Sequence, residues 1–252
     1  MIIACLAVRL KSKRLHKKAF IKLKNKELFL HTFERASASK KIDKVIVCTS
    51  TNDEDTPIYD LCVSRGIECF RGEEDDVMKR FIDAVEHSNP NQIVRMTGDN
   101  PCISYEFIDL AIDAHLKNNA MYTTTEDLPR GMRSEIIDYK FLKNLHAKLS
   151  SPGMTEYMTW YLDRPAMWKV LKINVPKQLR RSSYRLTVDT VNDLALIEKL
   201  YNKLYKGSII SSFDIVKFLD ENKSLLALNS EIKQRSYSEL RSKVDIRLIE
   251  EL

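Results

Sequence analysis

The sequence predicts an α/β protein built on a mainly parallel sheet with helices on both faces. Three observations predict it. Short apolar runs of strand length alternate with stretches of helical apolar spacing up to about residue 120. Those runs are bounded by polar or turn residues, as buried strands are. The charged and turn-forming segments follow the strands, at the sheet edge where such folds bind ligands.

The elements follow in order. Residues 2–8 (IIACLAV) read as a buried strand and 28–38 as an amphipathic helix. Residues 44–50 (KVIVCTS) are a second buried strand. A helix over 53–65 is expected, capped by Asn52 or Asp53, then a short strand over 67–70 (IECF). Residues 76–86 are helical, 92–101 form a strand ending in a turn, and 105–116 form a helix capped by Ser104. The region 120–137 mixes strand-like residues with a Pro/Gly loop. A helix over 154–162, a half-buried strand over 168–175 (WKVLKINV) and another strand over 184–190 (YRLTVDT) come next. Helices over 191–205 and 212–222 precede a highly charged final stretch of about 20 residues.

Composition bounds the function. The chain has 252 residues, 44% of them hydrophobic, enough for one α/β domain with a sub-domain. No apolar run approaches the ~20 residues of a membrane helix, and the opening run lacks the order of a signal peptide, so a cytoplasmic protein is expected. The five cysteines are scattered and lack CxxC spacing, which favours reduced thiols over a zinc site. The net charge is +6, yet residues 1–26 alone carry seven Lys, two Arg and no acid, leaving −3 for the rest. Charge so local suggests a local anion rather than a nucleic-acid coat.

Four stretches carry candidate chemistry. Arg9, Ser12, Arg14, Lys17 and Lys18 leave the first strand, and guanidinium forks with ammonium charges suit a polyphosphate. Lys22, Lys24 and Lys26 read as solvated. The glycines lie at 66, 72, 98, 131, 153 and 207, which excludes both a Walker loop and GxGxxG. In VRMTGDNP, Asp99 stands at a strand end and suits magnesium, though a turn aspartate bonding its own backbone is an equal reading. In YRLTVDTVNDL, Thr190 and Asp193 form a capping box, while Asp189 has no capping task and could meet Asp99 over one metal ion. In FRGEEDDVMKRF, Arg71, Gly72 and the acids Glu73–Asp76 could line a ligand, with helix-start capping the stronger reading for Glu73 and Glu74.

Taken together, these segments resemble the cytidylyltransferases of the spore-coat polysaccharide branch, relatives of the synthetases that make CMP-linked acidic sugars. LAVRLKSKRLHKK keeps Arg9, Ser12, Arg14, Leu15 and Lys18 of a Q-A-R-x-G-S-T-R-L-P-G-K opening. FRGEEDDVMKRF, VRMTGDNPCI and YRLTVDTVNDLALI are similar to Y-R-G-S-E-D-D-V-L-x-R-Y, V-R-x-T-G-D-C-P-L-I and L-R-L-T-V-D-T-P-E-D-L. PRGMRSEII echoes D-G-L-D-V-E-V-F through Gly131 and Glu135, and LALNSEIKQ also fits. The family's loop glycine is Lys11 here, its Pro-Gly pair is His16-Lys17, and R-E-H-V-T-P-Y appears as TEYMTWY, with Thr155 and Tyr157 where Arg and His stand.

The resemblance implies a Rossmann-like sheet with a dimerisation sub-domain at about 126–180, inserted between a nucleotide-binding half (1–125) and the 184–205 segment. It implies CTP and magnesium (manganese being possible), with Arg9, Ser12, Arg14 and Lys18 on the triphosphate and Asp99 and Asp189 on the metal. Arg71, Gly72 and Asp76 would lie near the cytosine and ribose. Transfer of CMP to a 2-keto-3-deoxy sugar acid is the expected reaction, with a phosphonate or a polyol or sugar phosphate as alternative acceptors. Relatives pair through the sub-domain, so Met154, Tyr157, Trp160, Tyr161 and Trp168 mark either a homodimer interface or a core. Two rivals remain. A glycosyltransferase would show Asp-x-Asp where GDNP stands, and an RNA-binding module would interleave aromatics with its basic residues.

Overall fold

The computed structural model describes residues 1–12, 14–149 and 155–232. Lys13, Met154 and the charged stretch from 233 onward lie outside the described residues.

Strands β1 (Ile2–Ala7), β4 (Lys44–Ser50), β5 (Cys69–Gly72) and β6 (Gln92–Thr97) run parallel in the order β5-β4-β1-β6. A small β2–β3 ribbon (Lys22–Leu23 with Lys26–Glu27) lies outside this sheet. The main sheet continues through β8 (Glu135–Asp138), antiparallel to β6, then β7 (Tyr122–Thr124) and β9 (Val170–Lys172). Residues from the 126–180 region therefore extend the same seven-stranded sheet.

Side chains alternate across each strand, and both faces are dry. On β1, Ala4 and Leu6 face one core while Ile3 and Cys5 face the other. The first face is covered by α1 (Leu28–Ser37), α2 (Thr56–Ser64), α4 (Tyr105–Asn118), α7 (Val191–Leu204) and α8 (Ser212–Glu221), through residues such as Phe29, Ile58, Phe107 and Leu196. The second is covered by α3 (Val77–Val85), α5 (Tyr139–Ala147) and α6 (Met158–Leu162), through Phe81, Leu142 and Tyr161. Each such fully buried side chain contributes roughly 1.5–3 kcal/mol. All five cysteines are free thiols.

Several expectations change. The cap of α2 is neither Asn52 nor Asp53: a 3-10 turn (Asp53–Asp55) precedes the helix, and no side chain caps it. Asp55 is instead buried and accepts hydrogen bonds from the Leu10 amide (2.6 Å) and the Ser50 hydroxyl. Lys26 is not solvated but bonds Glu34. Helix α5 was not expected, although Asp138 caps it at the Phe141 amide.

The 184–190 segment is not a strand. Its link to the strand-like region is a single bridge, Arg185 to Arg130. Leu186 and Val188 face the core, but the segment's amides pair with loops: Leu186 N–H with the Arg130 carbonyl and Val188 N–H with the Asp99 carbonyl. Its alternation reflects an extended chain buried on both sides, which has the same period as a strand. Of the aromatic residues at 154–175, Tyr161 and Trp168 lie in the core, and Tyr157 stacks on Trp160 at 4.4 Å.

Candidate active site

A cavity of about 710 Å³ opens at the carboxyl ends of β1 and β6. The basic loop forms one wall. It leaves β1, is pinned at the Leu10 amide by Asp55, and returns through a 3-10 turn at Lys18–Phe20. Arg9, Ser12, Arg14 and Lys18 all line the cavity.

Asp99 and Asp189 meet opposite that loop. Asp99 stands in the turn after β6, where the Thr97 hydroxyl donates to its Oδ1. Asp189 stands at the end of the extended segment, just before the capping box of Thr190 and Asp193 that opens α7. The two segments are tied by the hydrogen bond from Val188 N–H to the Asp99 carbonyl, 2.8 Å. Lys18 Nζ lies between the carboxylates, 2.6 Å from Asp99 Oδ2 and 2.8 Å from Asp189 Oδ1. Arg14 reaches the same Asp189 oxygen at 3.0 Å, and Arg185 holds the other at 2.9 Å.

Burial alone would raise the Asp189 pKa; the charge and hydrogen bond of Lys18, then Arg14 and Arg185, bring it down to about 2. Burial likewise works against the Lys18 ammonium, but Asp99 and Asp189 outweigh it and raise its pKa. A cation thus already sits between the two carboxylates. Hard oxygen donors and a position that favours positive charge fit magnesium or manganese. Among the described residues no group of three or more His, Cys, Asp or Glu side chains could hold a metal by itself. Two carboxylates with phosphate and water completing the shell is the usual manner of magnesium.

The 71–77 segment contributes differently from expectation. Arg71, Gly72 and Asp76 do not line the cavity; Glu74, Asp75 and Val77 do. The Arg71 guanidinium is spent on the carbonyls of Ser50, Thr51 and Asn52. A Cβ at Gly72 would lie 3.1 Å from Arg80 Cγ and 2.8 Å from the Phe70 ring, so Gly72 makes room for the Arg80 stem. Asp76 caps α3 at the Lys79 amide and accepts from His146 Nε2 at 2.6 Å and the Thr155 hydroxyl at 2.8 Å.

A model of the cytidylyltransferase family matches residues 3–215. The chain belongs to the cytidylyltransferase family. It is 37% identical over 243 residues to protein MJ1063 of Methanocaldococcus jannaschii, covering 95% of this chain and 98% of that one. It is 30% identical over 191 residues to the spore coat polysaccharide biosynthesis protein SpsF of Bacillus subtilis, covering 75% and 80%. A solved cytidylyltransferase from Leptospira borgpetersenii superposes with a TM-score of 0.80 at 26% identity, covering 93% of this chain and 99% of that one.

Sequence reasoning missed four arginines of this cytidylyltransferase. Arg80 is 2% exposed, lines the cavity, and its Nε has no hydrogen-bond partner among the described residues. Arg95 pairs with Glu135, which also accepts from the Thr159 hydroxyl at 2.7 Å. Arg130 and Arg133 come from the loop before β8. Arg80 follows FRGEEDD by a few residues and could have been found as the cationic position of that motif. The others acquire meaning only when β8 is laid beside β6.

Proposed function

We propose that this cytidylyltransferase transfers CMP from CTP to an acidic sugar of the 2-keto-3-deoxy type, for surface polysaccharide synthesis. The observation that carries the reading is Lys18 held between Asp99 and Asp189 beside Arg14, at the mouth of β1 and β6. A basic loop folded onto carboxylates inside a cavity favours a small polyanion with its cation over RNA, which needs an open basic surface.

Arg9, Ser12, Arg14 and Lys18 bind the triphosphate, with guanidiniums forking phosphate oxygens. Asp99 and Asp189 hold magnesium or manganese, which when bound supplies neutralising charge to phosphate oxygens and orients them. An acceptor hydroxyl oxygen attacks the α-phosphorus. The new P–O bond forms as the α–β bridge P–O bond breaks, and its electron pair leaves on pyrophosphate. Arg14 and Lys18 stabilise that departing charge. The acceptor proton passes to solvent; His16 is exposed and does not line the cavity.

The chain is expected to act in the cytoplasm, where CTP is made. Free thiols accord with that, and no described helix is long and apolar enough to cross a membrane. It is also expected to pair as a homodimer beside the β9 edge, where Met121 and Met167 are exposed. Light scattering at micromolar concentration should give twice the chain mass, and a monomer mass rejects the pairing.

The reading is tested with a panel of nucleoside triphosphates and magnesium. CTP should raise the melting temperature far more than ATP, GTP or UTP, and chelation should abolish the gain. Equal responses across the panel would remove the nucleotide assignment.

A further inference from the structure

The cavity wall is nearly neutral in total, and its charges are sorted. Among the described lining residues there are eight cations and eight carboxylates. Most cations have a carboxylate in contact: Arg9 with Glu156, Lys11 with Glu74, Arg14 and Lys18 with Asp189, Lys18 also with Asp99, and Arg95 with Glu135. Among the described residues, Arg80, Arg130 and Arg133 have none. Arg80 belongs to the basic-loop side, within reach of the Glu74 carbonyl. Arg130 and Arg133 stand together on the β8 side, flanking Gly131 and Met132.

The loop that carries them is pinned to the 184–187 segment. Gly131 has φ +92°, and a Cβ there would lie 2.5 Å from the Thr187 amide nitrogen. The loop is further fixed by hydrogen bonds from the Arg130 amide to the Tyr184 carbonyl and from the Leu186 amide to the Arg130 carbonyl. Arg130 Nε is buried with no hydrogen-bond partner among the described residues. Arg130 is close enough to Asp99 and Asp189 to feel both, yet pairs with neither, and burial with the nearby charges of Arg185 and Arg133 lowers its pKa to about 10. Arg133 is anchored by one weak bond to the Thr125 carbonyl, 3.3 Å. The nearby Glu126 carboxylate is already taken by Lys172 at 2.7 Å.

Two guanidiniums held together, one with a buried orphan donor, are costly to leave unpaired, and an anion is the partner that would satisfy both. We propose that Arg130 and Arg133 are the acceptor subsite, binding an anionic group, carboxylate or phosphate, of the molecule that receives CMP. Arg130 is close enough to Arg133 on one side and to Asp99 and Asp189 on the other to feel their charges, so an anion held there sets the acceptor hydroxyl near the reacting phosphorus. The inference rests on the cytidylyl-transfer reading and adds the residues that select the acceptor.

The test is calorimetry on protein loaded with magnesium and α,β-methylene-CTP, which fills the donor side and cannot transfer. The titrants are 3-deoxy-manno-octulosonate for the carboxylate, ribitol 5-phosphate for the phosphate, and ribitol as the neutral control. At least one anion should bind, and ribitol should not. Arg130→Met and Arg133→Met should each weaken that anion by about 10- to 100-fold, as loss of a charge-assisted contact does. Arg130→Lys should retain part of the affinity. Affinity for α,β-methylene-CTP should stay within about threefold, and Arg130→Met should melt at or above wild type because an uncompensated buried charge has been removed.

Unchanged anion binding in both variants overturns the proposal. So does preferential loss of α,β-methylene-CTP in Arg130→Met, which would assign Arg130 to the triphosphate, or a wild type that takes neither anion above ribitol. Failure of wild type to bind α,β-methylene-CTP at all overturns the reading beneath it, a result visible before any anion is added.

Discussion

Asp99→Asn and Asp189→Asn should each lower turnover by about a thousandfold, the scale of losing a main electrostatic contact to the reacting phosphates, while differing sharply in stability. Asparagine keeps the shape of either side chain and removes its charge. Asp99 shares its cation with Asp189, and in Asp99→Asn the Lys18 ammonium keeps a partner. The melting temperature of that variant without ligand should change little. Asp189 faces Lys18, Arg14 and Arg185 at once and is nearly buried. Its pKa falls from 3.8 to about 2 on folding, worth about 2 kcal/mol of stability at neutral pH. The sign follows from the depressed value: the contribution is complete above pH ~4 and disappears as pH falls through about 2. Asp189→Asn should therefore melt roughly 4–8 °C lower at pH 7, and the gap should close in acid. In the double variant the activity losses should not add, since one shared cation makes the pair a unit. Additive losses, or an Asp189→Asn enzyme that turns over normally whenever it is folded, would reduce Asp189 to an ion-pair residue.

The parallel half of this site was legible in the sequence because its physics is local. Buried strands β1, β4 and β6 are short apolar runs, and each hands its carboxyl end to a motif: the basic loop after β1, Asp99 after β6. The capping box at Thr190 and Asp193 was equally local, and it isolated Asp189 as the residue without a structural task at the helix start. Contacts across the chain were not legible. Arg71, Gly72 and Asp76 share a motif with cavity residues, yet only the packing of Arg80 over Gly72 and of His146 on Asp76 decides which of them face inward. The 184–190 segment has the period of a strand, and nothing in its residues says that its amides pair with the Asp99 and Arg130 carbonyls. Arg130 and Arg133 carry no signal of their own in the sequence; their place depends on Gly131, which lets that loop lie against Thr187.

Lys18 should show the second largest effect, and in two opposite directions. Its ammonium contacts both carboxylates that would hold a divalent ion. Lysine and metal therefore compete for the same oxygens, and Lys18 is free to reach a phosphate only when the metal has replaced it. Lys18→Met keeps much of the apolar stem and removes the charge. Without nucleotide, manganese binding to this variant should tighten by about tenfold, because the competing cation is gone and two like charges gain from neutralisation. With CTP and acceptor, turnover should fall by about 10- to 1000-fold, because the departing pyrophosphate has lost a charged partner. Arg14→Ala should lose less: Arg14 is 44% exposed and reaches a single Asp189 oxygen, so water screens more of its charge. Lys24→Gln, on an exposed residue outside the cavity, should leave both quantities unchanged. Manganese affinity is read by titration calorimetry without nucleotide, and turnover by pyrophosphate release. Weaker or unchanged manganese binding in Lys18→Met would mean that the two carboxylates do not form the cation site. Full turnover in that variant would mean that Lys18 serves only to hold the empty carboxylates together.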